Sequence, residues 1–232
     1  MLRGPQNLPE RVREVRERIA RAAARAGRNA QSVTLLAVSK AQPPEAVRAA
    51  ADCGIGHFGE SYLQEALDKL DALRDRALTW HFVGRIQANK TRPIAERFAW
   101  VHAVDRLKIA QRLAAQRPHH APPLNVCLQV RLGEEAGKGG VAAGELTGLA
   151  RAVAELPRLK LRGLMCIPPE ETEAARQHGW FRELRQLFEA LNGGGAALDT
   201  LSMGMSADFE AAIEEGATIV RVGTALFGPR GG

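Results

Sequence analysis

The sequence predicts a single (β/α)8 barrel of the TIM type, preceded by an extra helix at the N-terminus. Eight short segments rich in β-branched and apolar residues alternate with eight segments of helical periodicity. This alternation is typical of a parallel sheet covered by helices. The 232 residues fall within the range of one such barrel. No Gly-x-Gly-x-x-Gly turn follows the first strand, so an open doubly wound sheet is the less favoured alternative.

The first predicted element is a helix over residues 9–25. Val12, Val15 and Ile19 recur at helical spacing, and Gly27 follows at a place where glycine commonly ends a helix. Arginine and glutamate fill many of the remaining positions, as on a solvated helix face. We expect this helix to pack across the outside of the barrel.

The barrel elements follow from the same periodicities, with glycine and proline at many of the breaks. The predicted strands cover residues 33–40, 56–60, 79–83, 100–104, 124–130, 160–165, 198–203 and 218–222. The predicted helices between them cover residues 45–52, 61–76, 87–98, 105–116, 142–156, 173–191 and 207–215. Asp105 is predicted to cap the helix that it begins. The whole chain (1–232) is assigned to one domain, made of a leading helix (1–30), the barrel (31–228) and a tail (229–232).

Composition narrows the classes of function. The net charge of +6, carried by 26 arginines and six lysines, is compatible with nucleic acid or with a small anionic ligand. The arginines alternate with glutamates on predicted helices, which disfavours nucleic acid. Three cysteines without metal spacing indicate neither a disulfide framework nor a zinc site. No apolar run has the length of a membrane span, so we expect a cytoplasmic protein without a membrane partner. We also expect a monomer.

The first predicted strand ends in a lysine, Lys40. In an α/β barrel, the carboxyl ends of the strands carry the chemistry. The lysine amine is a nucleophile whose pKa falls on desolvation, as lysines that form Schiff bases require. The alternative is a strand-capping lysine in solvent, and this stretch taken alone favours that alternative.

The loops after the seventh and eighth strands predict a phosphate site, because barrels commonly bind phosphate there. Ser206, Gly223 and Thr224 offer two hydroxyls and a backbone that a ligand can approach closely. Ser206 also stands where it could simply cap the following helix, and Thr224 could be a turn residue. Arg221 lies inside the last strand, where it could donate to a ligand ring atom, or could face the surface or a salt bridge.

A lysine, a phosphate site and an inward arginine at one end of a barrel together describe a site for pyridoxal 5′-phosphate (PLP). The chain also resembles the pyridoxal phosphate homeostasis protein family, whose members bind PLP in a barrel like that of alanine racemase but lack its second domain. The matching stretches are LLAVSK at 35–40, FGESYLQE at 58–65, WHFVGRIQANK at 80–90, LRGLM at 161–165, LSMGMSADFE at 201–210 and VRVGTALFG at 220–228. The resemblance implies a Schiff base on Lys40, phosphate binding by Ser206, Gly223 and Thr224, and Arg221 at the pyridine nitrogen. It also implies PLP-dependent apo-enzymes as possible partners.

The sequence departs from the family pattern at several positions. Ser61 replaces the usual asparagine, and Gln42 stands where some members have a second lysine. Arg131 and the glycine-rich loop around Lys138 also differ from the residues that the family usually has there. These departures affect possible additional contacts to PLP and leave the residues of the main site unchanged. Outside the main site, we interpret His81 as a hydrogen-bonded core histidine rather than a base, and Cys166 as a packing residue.

A racemase of this class needs one base on each face of the bound amino acid. In alanine racemases the second base is a tyrosine from a separate domain. The single tyrosine here, Tyr62, lies early in the second predicted barrel helix, where we expect a buried packing role. An arginine at the ring nitrogen also weakens PLP as an electron sink. We therefore expect a PLP carrier without robust turnover. The alternatives are a racemase or lyase of narrow scope and a basic nucleic-acid-binding barrel.

Overall fold

The structure is a computed structural model that describes residues 7–133, 139–169 and 171–229. Its strands are β1 (Thr34–Val38), β2 (His57–Glu60), β3 (Thr79–Phe82), β4 (Trp100–Val104), β5 (Leu124–Val130), β6 (Leu159–Cys166), β7 (Thr200–Ser202) and β8 (Ile219–Val222). Its helices are α1 (Leu8–Arg25), α2 (Pro44–Asp52), α3 (Leu63–Ala72), α4 (Thr91–Arg97), α5 (Leu107–Gln116), α6 (Ala143–Ala154), α7 (Ala174–Gly193), α8 (Phe209–Glu214) and α9 (Thr224–Phe227). Short 3₁₀ turns cover Ala30–Ser32 and Ala88–Lys90.

The eight strands close into one barrel in the order of the sequence, with every neighbouring pair parallel. Closure pairs β1 with β8, so that Leu36 stands opposite Arg221 and Ala37 opposite Val222. The predicted barrel is confirmed. Because the register brings the carboxyl end of β1 beside that of β8, Lys40 and the loop after β8 share one end of the barrel.

The leading helix packs on the outside, as expected. Val12, Val15 and Ile19 of α1 are buried, and two ion pairs join the helix to α8. Arg18 Nη2 lies 3.0 Å from Glu210 Oε2, and Arg25 Nε lies 2.6 Å from Glu214 Oε1. Part of the arginine content therefore serves contacts between elements that are far apart in the sequence.

One predicted helix start is wrong. The residue that precedes α5 is Arg106, which makes no side-chain cap. The carboxylate of Asp105 instead accepts a hydrogen bond from Arg106 Nη1 at 2.8 Å. An adjacent arginine offers the carboxylate a charged donor, which competes with the backbone N–H groups of the first helical turn.

Among the helices that the structure describes, none is both long enough and apolar enough to span a membrane.

Candidate functional site

Lys40 lies just beyond the end of β1 and is half-buried. It lines a cleft of about 30 Å³ between the end of β1 and the start of α9. The other residues of the cleft are Val38, Gln42, Gly223, Thr224, Phe227 and Gly228. The structure therefore brings together the lysine and two of the three predicted phosphate residues, although more than 180 positions separate them in the sequence.

The backbone on both sides of Lys40 is held by side chains of α3. Lys69 Nζ donates to the carbonyl oxygen of Ser39 at 2.6 Å. The N–H of Ala41 donates to Glu65 Oε1 at 2.7 Å. Ala41 has a φ of 60°, a conformation that non-glycine residues adopt rarely and that needs support from its surroundings. These contacts fix the point from which the Lys40 side chain leaves the barrel wall.

The support behind Lys40 is a buried charge cluster. Lys69 is 2% exposed and lies 2.8 Å from Glu60 Oε1 and 2.5 Å from Glu65 Oε1. Glu60 also accepts from Ser39 Oγ at 2.6 Å. Burial raises the pKa of Glu60, and the hydrogen bonds from Lys69 and Ser39 oppose that rise. The sequence interpretation did not identify this cluster. The i,i+4 spacing of Glu65 and Lys69 was the available signal, but it is also typical of a solvated helix face.

Replacing Lys69 with methionine is expected to lower the free energy of unfolding by about 3–5 kcal/mol, because Glu60 would stay buried without its cation. Equilibrium urea unfolding measures the change. The double variant Lys69→Met/Glu60→Gln should recover part of the loss, since it removes the unpaired buried charge at residue 60 and leaves only the partly exposed Glu65 without its cation. Lys108→Met on the exposed face of α5 is the control, with an expected change of about 0.5 kcal/mol or less. A similar loss of unfolding free energy in Lys69→Met and Lys108→Met would contradict the buried ion pair as the cause.

Ser206 contacts the start of α9 rather than capping its own helix. Its Oγ accepts from the N–H groups of Gly223 at 3.3 Å and Ala225 at 3.2 Å. The residue that precedes α8 is Asp208, and Asp208 Oδ1 accepts from the N–H of Met205 at 2.6 Å. The interpretation of Ser206 as a plain cap of the following helix is thus wrong, because Asp208 precedes α8 and the hydroxyl of Ser206 contacts the loop after β8 instead.

The backbone at Gly223 is close to β1. A Cβ on this residue would lie 3.2 Å from the carbonyl oxygen of Val38, which is tighter than ordinary packing. Thr224 is exposed at the first position of α9. The loop after β8 therefore offers a hydroxyl and backbone N–H groups beside the lysine, with little room for a larger side chain at residue 223.

Arg221 points into the barrel and is 5% exposed. Its Nη1 donates to the carbonyl oxygen and to Oγ of Ser202 at 2.7 and 3.0 Å, and its Nη2 donates to the carbonyl oxygen of Cys166 at 2.8 Å. These described partners are all uncharged, so neither the surface nor the salt-bridge interpretation holds. Burial lowers the pKa of Arg221. A buried cation among neutral acceptors is suited to a ligand that brings a further acceptor.

His81 is a buried, hydrogen-bonded core residue, as interpreted from the sequence. Its two ring nitrogens lie 3.0 Å from Nδ1 of His57 and 2.9 Å from Nε2 of His102. Its ring also stacks on Trp100 with centroids 5.4 Å apart. Burial lowers the pKa of His81 well below its usual range, and the neighbouring histidines add to the effect.

Tyr62 is not buried, contrary to the prediction. Its side chain is 55% exposed, because the residue stands just before the first residue of α3 and not within the helix. Cys166 is buried at the end of β6, as expected of a packing residue. Burial raises the pKa of its thiol to about 12, so it is a poor nucleophile at neutral pH.

The departures from the family pattern fall at different places. Gln42 lies in the same cleft as Lys40. Ser61 directly follows the last residue of β2, and Arg131 is exposed after β5. Lys138 lies outside the described residues.

The structure also has a larger cavity, which lies away from Lys40. A groove of about 550 Å³ lies outside the barrel between α6, α7 and the start of β6. It is lined mainly by leucine and alanine side chains and by a few exposed charges. It adjoins the amino end of a strand, whereas Lys40 lies at the carboxyl end of the barrel. Volume alone therefore does not identify the functional site.

Residues 11–231 match the family model for the N-terminal domain of alanine racemase. The chain is 60% identical over 223 residues to a pyridoxal phosphate homeostasis protein of Pseudomonas aeruginosa, with 96% of each chain covered. It is 48% identical over 227 residues to the pyridoxal phosphate homeostasis protein of Escherichia coli K12, with 97% of each covered.

Solved structures are also similar to this chain. PipY of Synechococcus elongatus, solved with PLP bound, is 36% identical with a TM-score of 0.85, covering 96% of this chain and all of that one. Alanine racemase of Corynebacterium glutamicum is 18% identical with a TM-score of 0.67, and the match covers 92% of this chain and 59% of the racemase. That second likeness shows the fold alone. From the sequence identity over nearly its full length, the chain belongs to the pyridoxal phosphate homeostasis protein family.

Proposed function

We propose that this protein binds PLP as a Schiff base on Lys40 and serves in intracellular PLP homeostasis as a carrier or buffer. The observation that carries the proposal is the shared cleft, in which Lys40 faces Gly223 and Thr224 at the carboxyl end of the barrel. The relative solved with PLP and the names of the curated relatives support the same ligand. We place the protein in the cytoplasm, as one domain and as a monomer that supplies PLP-dependent apo-enzymes.

The residues present fit the cofactor. PLP has an aldehyde that condenses with an amine, a phosphate dianion and a pyridine ring. Lys40 lines the cleft from the end of β1. The hydroxyls of Ser206 and Thr224 can hold a phosphate, and a phosphate oxygen can replace Ser206 Oγ as the acceptor for the N–H groups of Gly223 and Ala225. Arg221 offers a buried donor for the ring nitrogen.

The site lacks a second base among the groups examined above. Tyr62 is exposed at the start of α3. The thiol of Cys166 is protonated at neutral pH, and its backbone carbonyl is taken by Arg221. These features favour retention of PLP over turnover. An amino-acid racemase or lyase of narrow scope is the second candidate, since the alanine racemases share the fold.

The phosphate site is tested by comparing PLP with pyridoxal, which lacks the phosphate. The variant Ser206→Ala/Thr224→Ala should weaken PLP binding by about 1.5–3 kcal/mol for each lost hydrogen bond to the dianion. Pyridoxal binding should change little. Fluorescence or absorbance titration of the apoprotein measures both. Ser32→Ala, whose hydroxyl donates to Asn29 at the other end of β1, is the control. Equal losses for the two ligands would place the phosphate elsewhere.

A further inference from the structure

An unbroken line of hydrogen bonds crosses the interior of the barrel from Arg221. Its Nη1 lies 3.0 Å from Ser202 Oγ, which lies 2.8 Å from Nδ1 of His102. Nε2 of His102 lies 2.9 Å from Nδ1 of His81, and Nε2 of His81 lies 3.0 Å from Nδ1 of His57. The five side chains come from β8, β7, β4, β3 and β2, and the line ends at the first residue of β2.

Burial keeps the inner rings of this line neutral. Ser202, His102 and His81 are fully buried. Burial lowers the pKa of His102 to about 3, and the charge of Arg221 contributes to the shift. Burial likewise lowers the pKa of His81 well below its usual range. A neutral imidazole has one donor and one acceptor nitrogen, so each ring receives one hydrogen bond and passes one on.

The arginine sets the direction of the line. A guanidinium only donates, so Ser202 Oγ accepts from Arg221. Among the described residues, Nδ1 of His102 is the other hydrogen-bond partner of Ser202 Oγ, so the buried hydroxyl hydrogen has an acceptor only when it points to that nitrogen. This places the ring proton of His102 on Nε2. The same reasoning places the proton of His81 on Nε2, from which it is donated to His57. These tautomers are assigned from the network, and with them each hydrogen bond between Arg221 and Nδ1 of His57 has one donor and one acceptor.

We propose that Ser202, His102 and His81 are positioning residues that hold the guanidinium of Arg221 toward the pyridine nitrogen of bound PLP. This inference rests on the proposed function, because it takes PLP as the ligand. The donated hydroxyl hydrogen leaves a lone pair of Ser202 directed at Nη1. Without that hydroxyl, Nη1 retains only the carbonyl oxygen at residue 202, at 2.7 Å. The guanidinium can then turn away from the ring more easily.

The direction of the line is tested in the apoprotein by nitrogen-15 NMR of the histidine rings. We expect the Nε2–H tautomer for both His102 and His81. The Nδ1–H tautomer for His102 would overturn the inference, because Ser202 would then be receiving hydrogen bonds from both sides. This measurement needs no cofactor.

The effect on the ligand is tested with PLP and with 1-deaza-PLP, which has a CH group in place of the ring nitrogen. Ser202→Ala should weaken PLP binding about tenfold, as expected for one charge-assisted hydrogen bond, and should leave 1-deaza-PLP binding unchanged. His102→Leu should show the same selectivity. Circular dichroism checks its fold, and Ser202→Ala decides alone if that variant does not fold. Thr200→Val removes a buried hydroxyl from the same strand, one that donates to Asp199, and should change neither affinity.

Two failures can be told apart. Equal weakening of both ligands by Ser202→Ala, or no weakening of PLP binding, would overturn the positioning role while leaving the proposed function in place. A wild-type protein that binds no PLP would overturn the proposed function and this inference together.

Discussion

Replacing Lys40 with alanine is expected to abolish covalent attachment of PLP. In the wild-type protein, we expect the amine of Lys40 to condense with the aldehyde carbon of PLP, with the carbonyl oxygen lost as water. Borohydride then delivers hydride to that carbon, and the resulting C–N single bond survives denaturation. We therefore expect the purified protein to be yellow when loaded, and reduction to leave one cofactor on Lys40. Absorbance before and after reduction, followed by peptide mass spectrometry, measures the outcome.

Other lysines provide the control for this experiment. Lys90 lies in the 3₁₀ turn Ala88–Lys90 and is exposed. Lys90→Ala should bind and retain PLP as the wild type does. Lys69, although buried near Lys40, is engaged by Ser39, Glu60 and Glu65. A reduced adduct found mainly on Lys90 or Lys138 would refute the assignment of Lys40.

The second large effect concerns turnover. When L-alanine or another common amino acid is added to the loaded protein, we expect its α-proton to exchange slowly and without inversion. A second base typically contributes about 10²–10⁴ in rate, and ordinary enzymes turn over at about 1–10³ s⁻¹. The exposed Tyr62 and the buried Arg221 do not supply such a base. Turnover should therefore lie far below the ordinary range.

Deuterium uptake at Cα, followed by NMR in heavy water, measures the exchange, and chiral chromatography measures inversion. An alanine racemase serves as the positive control under the same conditions. Tyr62→Phe should leave the slow rate unchanged, because Tyr62 is exposed and does not line the cleft of Lys40. Rapid exchange with racemisation of any common amino acid would favour the racemase and refute the carrier.

The local elements were predictable from the sequence because each is encoded over a few adjacent residues. The alternation of strand and helix patterns predicted the barrel, and barrel closure then required that Lys40 and Gly223 meet. The errors arose at element ends. Asp105 and Ser206 are both residue types that commonly cap helices, but Asp105 accepts from the adjacent Arg106 and Ser206 accepts from N–H groups at the start of α9. Tyr62 was expected to be buried because it was placed inside a helix, whereas α3 begins one residue later, at Leu63.

The sequence by itself determined the fold class, the family and the end of the barrel at which Lys40 meets the loop after β8, because periodicity and strand-end motifs are local properties. Only the tertiary structure decided which polar groups meet. The hydrogen bond between His102 and Ser202 joins positions 100 residues apart, and the one between Lys69 and Ser39 joins positions 30 apart. Such contacts depend on strand register and on the direction of each side chain across the barrel wall. Buried groups must be paired within that geometry, so a one-residue shift in register would have produced different partners.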